Sequence, residues 1–153
     1  MKPLILPLPL ALQALIDTGY WPTTEADVLS QNAKPLVSSR RIKTFAPEEN
    51  DIVFYRPPFY SVSECISFGE QFWDWPMSAA HEIDPDLTLL IGDFGLGSDA
   101  PFALDYSQNF DSPRLIRLQW GKPTKDGSNH TIFNNHWVEM APDFESFCEM
   151  IFR

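Results

Sequence analysis

Residues 87–106, LTLLIGDFGLGSDAPFALDY, combine closely spaced glycines with three aspartates, a pattern that could do chemistry. An apolar run leads into Gly95-x-Gly97-x-x-Ala100, the outline of a strand feeding a dinucleotide-binding loop. Such a loop needs a helix directly after it, because the N–H groups and partial positive charge of the helix start hold the phosphates. Here Pro101 and an alternating PFALDY follow, which is strand patterning. Asp93 and Asp99 would also set like charge against the phosphates. The glycines Gly95 and Gly97 are therefore read as letting one strand turn sharply into its neighbour.

The other reactive side chains have no better spacing. Asp93, Asp99 and Asp105 lie six residues apart, whereas an EF-hand loop places ligands two apart and ends in Glu. Asp105 is read as a strand residue bonding to turn N–H groups. A hydrolase or metal enzyme built on these three acids is the least favoured reading. Ser98 lacks the Gly-x-Ser-x-Gly frame of a nucleophile elbow. His130 and His136 are six apart across a loop and a strand start, and His81 is remote, so no zinc spacing results. Cys65 and Cys148 form neither a Cys-x-x-Cys pair nor a disulfide scaffold, which points to a reducing, cytoplasmic setting. No catalytic residue, metal ligand or cofactor is assigned.

Charge is the stronger signal. The net charge is -10, and residues 57–113 contain no Lys or Arg. Ten acids fall there: Glu64, Glu70, Asp74, Glu82, Asp84, Asp86, Asp93, Asp99, Asp105 and Asp111. The remaining eleven acids are balanced by all eleven bases, so the whole excess lies in the middle third. A field of one sign repels nucleic acid and attracts basic partners. Glu82, Asp84, Asp86, Asp93, Asp99 and Asp111 fall in expected loops and are the candidate partner contacts.

The positioning elements follow from periodicity. The chain's 153 residues suit one domain over 1–153. The start MKPLILPLPLALQALI lacks a small-x-small cleavage site and reads as a docking arm followed by a helix near 9–18, closed by Gly19. No stretch is long enough to span a bilayer. Residues 20–50 read mostly as loop, with a short helix around 25–30 and a solvated basic cluster at Lys34, Arg40, Arg41 and Lys43. A short strand at 52–55 stops at Pro57 and Pro58. Ser61-x-x-Glu64 is a capping box for a helix with Val62, Cys65, Ile66, Phe72 and Trp73 on one face, interrupted by Gly69. Trp73 and Trp75 are read as core. Strands are expected at 87–91, covered on both faces, and at 101–106, 114–120 and 136–140, with an Asp126-Gly127 hairpin turn before the last. A closing helix carries Phe144, Phe147, Cys148 and Ile151 at i, i+3, i+4 and i+7.

In order, Ile91-Gly92, Gly95, Gly97, Leu104-Asp105 and Trp137-x-x-x-Ala141-x-x-Phe144-x-x-Phe147 resemble the pattern of the SUKH superfamily, the SMI/KNR cell-wall assembly regulator-like group that includes many bacterial immunity proteins. The resemblance covers about the C-terminal 70 residues. LPLALQALIDTGYWP and FYRPPF are also similar to the N-terminal half of one subfamily. It implies an α+β fold, with helices around a single mostly antiparallel sheet, and action by binding rather than catalysis. Its shared residues Gly92, Gly95, Gly97, Asp105, Trp137, Phe144 and Phe147 are implied fold determinants. The implied function is an immunity protein neutralising a basic, nuclease-like toxin domain through an acidic surface. The alternative is a regulatory scaffold of the SMI/KNR type without a toxin partner. Neither reading involves direct nucleic-acid or membrane contact.

Overall fold

A computed structural model of the protein describes residues 5–95 and 99–152. Gly97 lies outside the described residues. Helix α1 (Leu10–Asp17) buries Leu12 and is closed by Thr18 and by Gly19, whose φ of +79° suits glycine. Two short helices follow, α2 (Glu25–Ser30) and α3 (Ser39–Ile42). Thr24 and Ser38 cap them by accepting from the Asp27 and Arg41 N–H groups. Strands β1 (Val53–Phe54) and β2 (Tyr60–Ser61) flank the prolines. The expected capping box starts α4 (Val62–Ser67): Ser61 Oγ accepts from Glu64 N, and Glu64 accepts from Ser61 N. Three 3-10 turns, Gln71–Asp74, Pro76–Ser78 and Ala80–Glu82, lead into β3 (Thr88–Asp93). Then come β4 (Pro101–Asp105), β5 (Arg114–Gln119), the hairpin β6 (Thr124–Lys125) and β7 (Thr131–Ile132), β8 (His136–Ala141) and α5 (Phe144–Phe152).

The architecture is α+β. An antiparallel sheet runs β1-β3-β4-β5-β8, with β2 also paired to β3; β6 and β7 form a separate ribbon. Alternation along the strands divides two cores. Ile91, Phe102, Leu104 and Leu115 face Leu12, Trp21, Ile42, Phe144 and Phe147 on one side. Leu90, Ala103 and Ile116 face Val62, Cys65 and Trp73 on the other. Each large side chain taken fully out of water contributes about 1.5–3 kcal/mol, so the Phe144–Phe147–Ile151 stripe of α5 is what fixes that helix to the sheet.

Several local expectations are corrected. Strand β3 runs past its expected end at Ile91 and includes Gly92: the β3–β4 register shifts between Leu90 and Gly92, and a Cβ there would enter the Phe102 ring. Its requirement is close approach, whereas Gly95, at φ +86°, supplies the turn. Trp75 is 47 % exposed, because α4 ends at Ser67 and the 3-10 turns rotate the apolar face away; Ile66, within α4, is 44 % exposed while Val62 and Cys65 carry the buried face. The β6–β7 connection is a five-residue loop in which Asn129, not Gly127, takes the left-handed conformation. Asp126 stabilises it by accepting from Ser128 N and His130 N.

Candidate functional site

The feature that the two core layers leave open is a cleft of about 620 Å3 at the β1–β3 edge. Its volume falls within the roughly 300–1,000 Å3 of ligand-binding clefts. One wall is the segment from Tyr55 to Tyr60, stiffened by Pro57 and Pro58. The other includes Cys65 of α4, Glu70 and the Phe72–Trp73 pair; Leu90, Asp93, Asp99 and Pro101 come from the β3–β4 end, and Glu25 and Val28 from α2.

Three long-range hydrogen bonds hold the first wall. Gln31, buried in the loop after α2, donates to Phe54 O at 3.0 Å and accepts from Phe54 N at 2.9 Å, replacing a missing neighbour strand for β1. Trp21 Nε1 donates to Tyr55 O at 2.8 Å. The opposite wall is set by aromatic contact: Phe72 meets Trp73 edge-on at 5.0 Å, and Trp73 stacks on Trp137 at 6.3 Å. Trp137 is anchored in turn by Nε1 donating to Ser78 O.

The cleft is negative. Glu25, Glu70, Asp93 and Asp99 line it, against Arg56 as the single lining base among the described residues. Asp93 accepts from Tyr55 Oη at 3.4 Å and from Ala100 N at 3.3 Å. Burial, then the adjacent Asp93 charge, pushes the Tyr55 phenol far above its usual range, so it stays a neutral donor. Burial and then the Glu70 charge push the Cys65 thiol up to about 12, which leaves it protonated and unreactive at neutral pH. Trp73 is 6 % exposed, and its Nε1 is a buried side-chain donor without an acceptor among the described residues.

The six candidate contact acids separate. Asp93 and Asp99 are brought together in the cleft. Asp84 and Asp86 precede β3 and Asp111 follows β4, at the other end of the sheet, since Asp93 pairs with Pro101 and Thr88 with Asp105. Four residues of strand put these ends roughly 13 Å apart. Asp86 there accepts from Ser63 Oγ. Glu82 is engaged elsewhere: it accepts from His136 Nδ1 and from Trp137 N, both at 2.8 Å, covering the start of edge strand β8. Burial works against charge on Glu82, yet those bonds outweigh it and hold the carboxyl below its usual range.

Asp105 does not join Asp93 and Asp99 either, so the three acids do not form one cluster. Asp105 is buried, accepts from Ser107 N at 3.0 Å and from Arg114 Nε at 2.8 Å, and so closes the β4–β5 loop. Burial opposes its charge, but the Ser107 and Arg114 bonds prevail and lower its pKa. Trp137 packs against the smaller core, and Phe144 and Phe147 lie in the larger one.

Sequence reasoning did not single out Glu25, Tyr55, Arg56, Glu70 or Trp73 as site residues. The signal for Tyr55 and Arg56 was the FYRPPF segment, whose prolines hold aromatic and charged side chains away from a regular strand. In comparisons with family models, curated proteins and solved structures, nothing matches this chain. No helix among the described residues is long and apolar enough to cross a membrane.

Proposed function

We propose that this is a non-catalytic protein-binding domain, an immunity protein of the SUKH type that covers the cationic surface of a nuclease-like toxin. The observation that carries the reading is the cleft: an aromatic and proline-walled cavity lined, among the described residues, by four carboxylates and one guanidinium, in a chain of net charge -10. A concave site with a net excess of one sign focuses the field and accelerates encounter with an oppositely charged macromolecule. Occlusion then needs no bond-making, and the cleft's one thiol is held protonated. Two free cysteines fit a reducing, cytoplasmic place of action.

The test is capture of partners from source cells at low salt, with the native chain and a Glu70→Gln/Asp99→Asn double variant as baits. The expected result is a basic polypeptide held by the native chain, released at high salt and lost by the variant. Its coexpression with the native chain should abolish its toxicity. A partner whose affinity is indifferent to ionic strength overturns the electrostatic mechanism, and a captured partner without toxicity overturns the immunity reading.

A further inference from the structure

Among the described residues nothing buries the β6–β7 ribbon. It pairs Thr124 with Ile132 and Lys125 with Thr131, and residues 122–133 are all exposed. A lone two-stranded hairpin is marginally stable in water, and this one also holds the apolar side chains of Ile132 and Phe133 in solvent. It is a basic spot on an acidic chain. Lys122 and Lys125 form no ion pair among the described residues, and Lys125 Nζ donates to Thr131 Oγ1. Phe133, two residues from Thr131, shares that face of the ribbon.

The sheet places ribbon and cleft symmetrically. Asp93 pairs with Pro101, Phe102 with Arg117 and Gln119 with His136, so the cleft and the base of the ribbon lie at one end of the sheet. In the order β1-β3-β4-β5-β8, the cleft is at the β1–β3 edge and the ribbon springs from β5 and β8. Each is therefore about 7 Å, one and a half strand spacings, to its own side of β4. They also share a sheet face. Asn135, which closes the ribbon, donates to Met77 O in the 3-10 turns after Trp73, and Cys65 and Leu90 of the same smaller core line the cleft. Trp120 Nε1 at the ribbon's base donates to Asp99 O at the cleft's rim, at 3.0 Å. A two-fold axis along the sheet normal, at this end of β4, exchanges the two sides and sets each copy's ribbon opposite the other's cleft.

We infer that two copies of this chain pair about that axis, each laying the Lys125–Phe133 face of its ribbon on the cleft of the other, Phe133 toward the aromatic and proline wall and the lysines toward the carboxylates. Both halves of the match are on this chain: two unpaired lysines on the ribbon, and four carboxylates against Arg56 in the cleft. The contact is isologous and closes at two copies. The net charge of -10 on each copy opposes association, but in about 0.15 M salt that repulsion is screened beyond about 8 Å, while the ribbon and cleft charges meet at closer range. The pairing does not depend on a toxin partner; a basic partner competes with the ribbon for the same cleft.

The full chain in about 0.15 M salt, followed by sedimentation velocity from about 10 µM to about 1 mM, should pass from monomer to dimer and no further. Lys122→Glu/Lys125→Glu sets the ribbon against the cleft, and Glu25→Lys/Glu70→Lys sets the cleft against the ribbon. Each double variant alone should dimerise at least roughly tenfold more weakly than native. Mixed in equal amounts, the two should form a heterodimer of near-native affinity, because both ribbon–cleft contacts are then matched in charge. Loss of fold in either variant would not give that rescue. A native chain that stays monomeric, a dimer that either double variant leaves unchanged, or a mixture that stays monomeric overturns the inference. Species that grow beyond the dimer overturn the two-fold arrangement.

Discussion

Replacing Gly92 by Ala should destabilise the protein through contact alone. The residue is in β3 at the bulge opposite Phe102, and no left-handed backbone angle is involved. An added Cβ would enter the Phe102 ring and lie 2.7 Å from the Val53 carbonyl oxygen of β1. The ring is fully buried against Phe54, Phe94 and Phe147, so it has no open side to move toward. The carbonyl belongs to backbone and yields less still. Overpacking costs about 1–3 kcal/mol, and two rigid obstacles place this case near 3 kcal/mol. For a chain of this size that lowers Tm by roughly 6–12 °C. With a urea m-value of about 2 kcal/mol/M it moves the midpoint by about 1.5 M. Combining Gly92→Ala with Phe102→Leu should cost less than the sum of the two, since the smaller side chain vacates the space. A Gly92→Ala midpoint within about 0.3 M of native would refute the close-approach reading of this glycine.

Gln31→Leu should leave Phe54 N–H and C=O unpaired in the core, at a cost of about 2–6 kcal/mol for two orphaned main-chain groups. Amide exchange at Phe54 should rise with it; retained protection would show that β1 is held otherwise. Asp105 has a depressed folded pKa, so its contribution is full above its unfolded value of about 3.9 and is lost as pH falls through the folded one. The urea-midpoint gap between native and Asp105→Asn should therefore narrow below about pH 4; a gap constant from pH 7 to 3 would contradict the Asp105–Arg114 assignment.

The fold was legible where a single periodicity decided an element. LTLLI reads as a strand covered on both faces, and its side chains do divide between the two cores. The Ser61–Glu64 box needed only local bonds and forms as its spacing implies. The cleft was not legible, because its walls come together through side chain-to-main chain bonds across long loops. Gln31 reaches Phe54 over 23 residues and Trp21 reaches Tyr55 over 34, and neither leaves a periodic trace. The acid count located the charge but not its grouping. That depended on the β3–β4 register, which sends Asp93 and Asp99 to one end and Asp84, Asp86 and Asp111 to the other.

That division supplies the most direct measurement. Affinity for the captured basic partner should be compared across ionic strength for the native chain, for Glu70→Gln/Asp99→Asn, and for Asp84→Asn/Asp111→Asn, which removes the same charge from the far end. The account predicts that the cleft pair weakens binding by roughly tenfold and flattens its salt dependence. The far pair should stay within about twofold of native. Equal weakening by both pairs would mean that the overall field, and no cleft, attracts the partner.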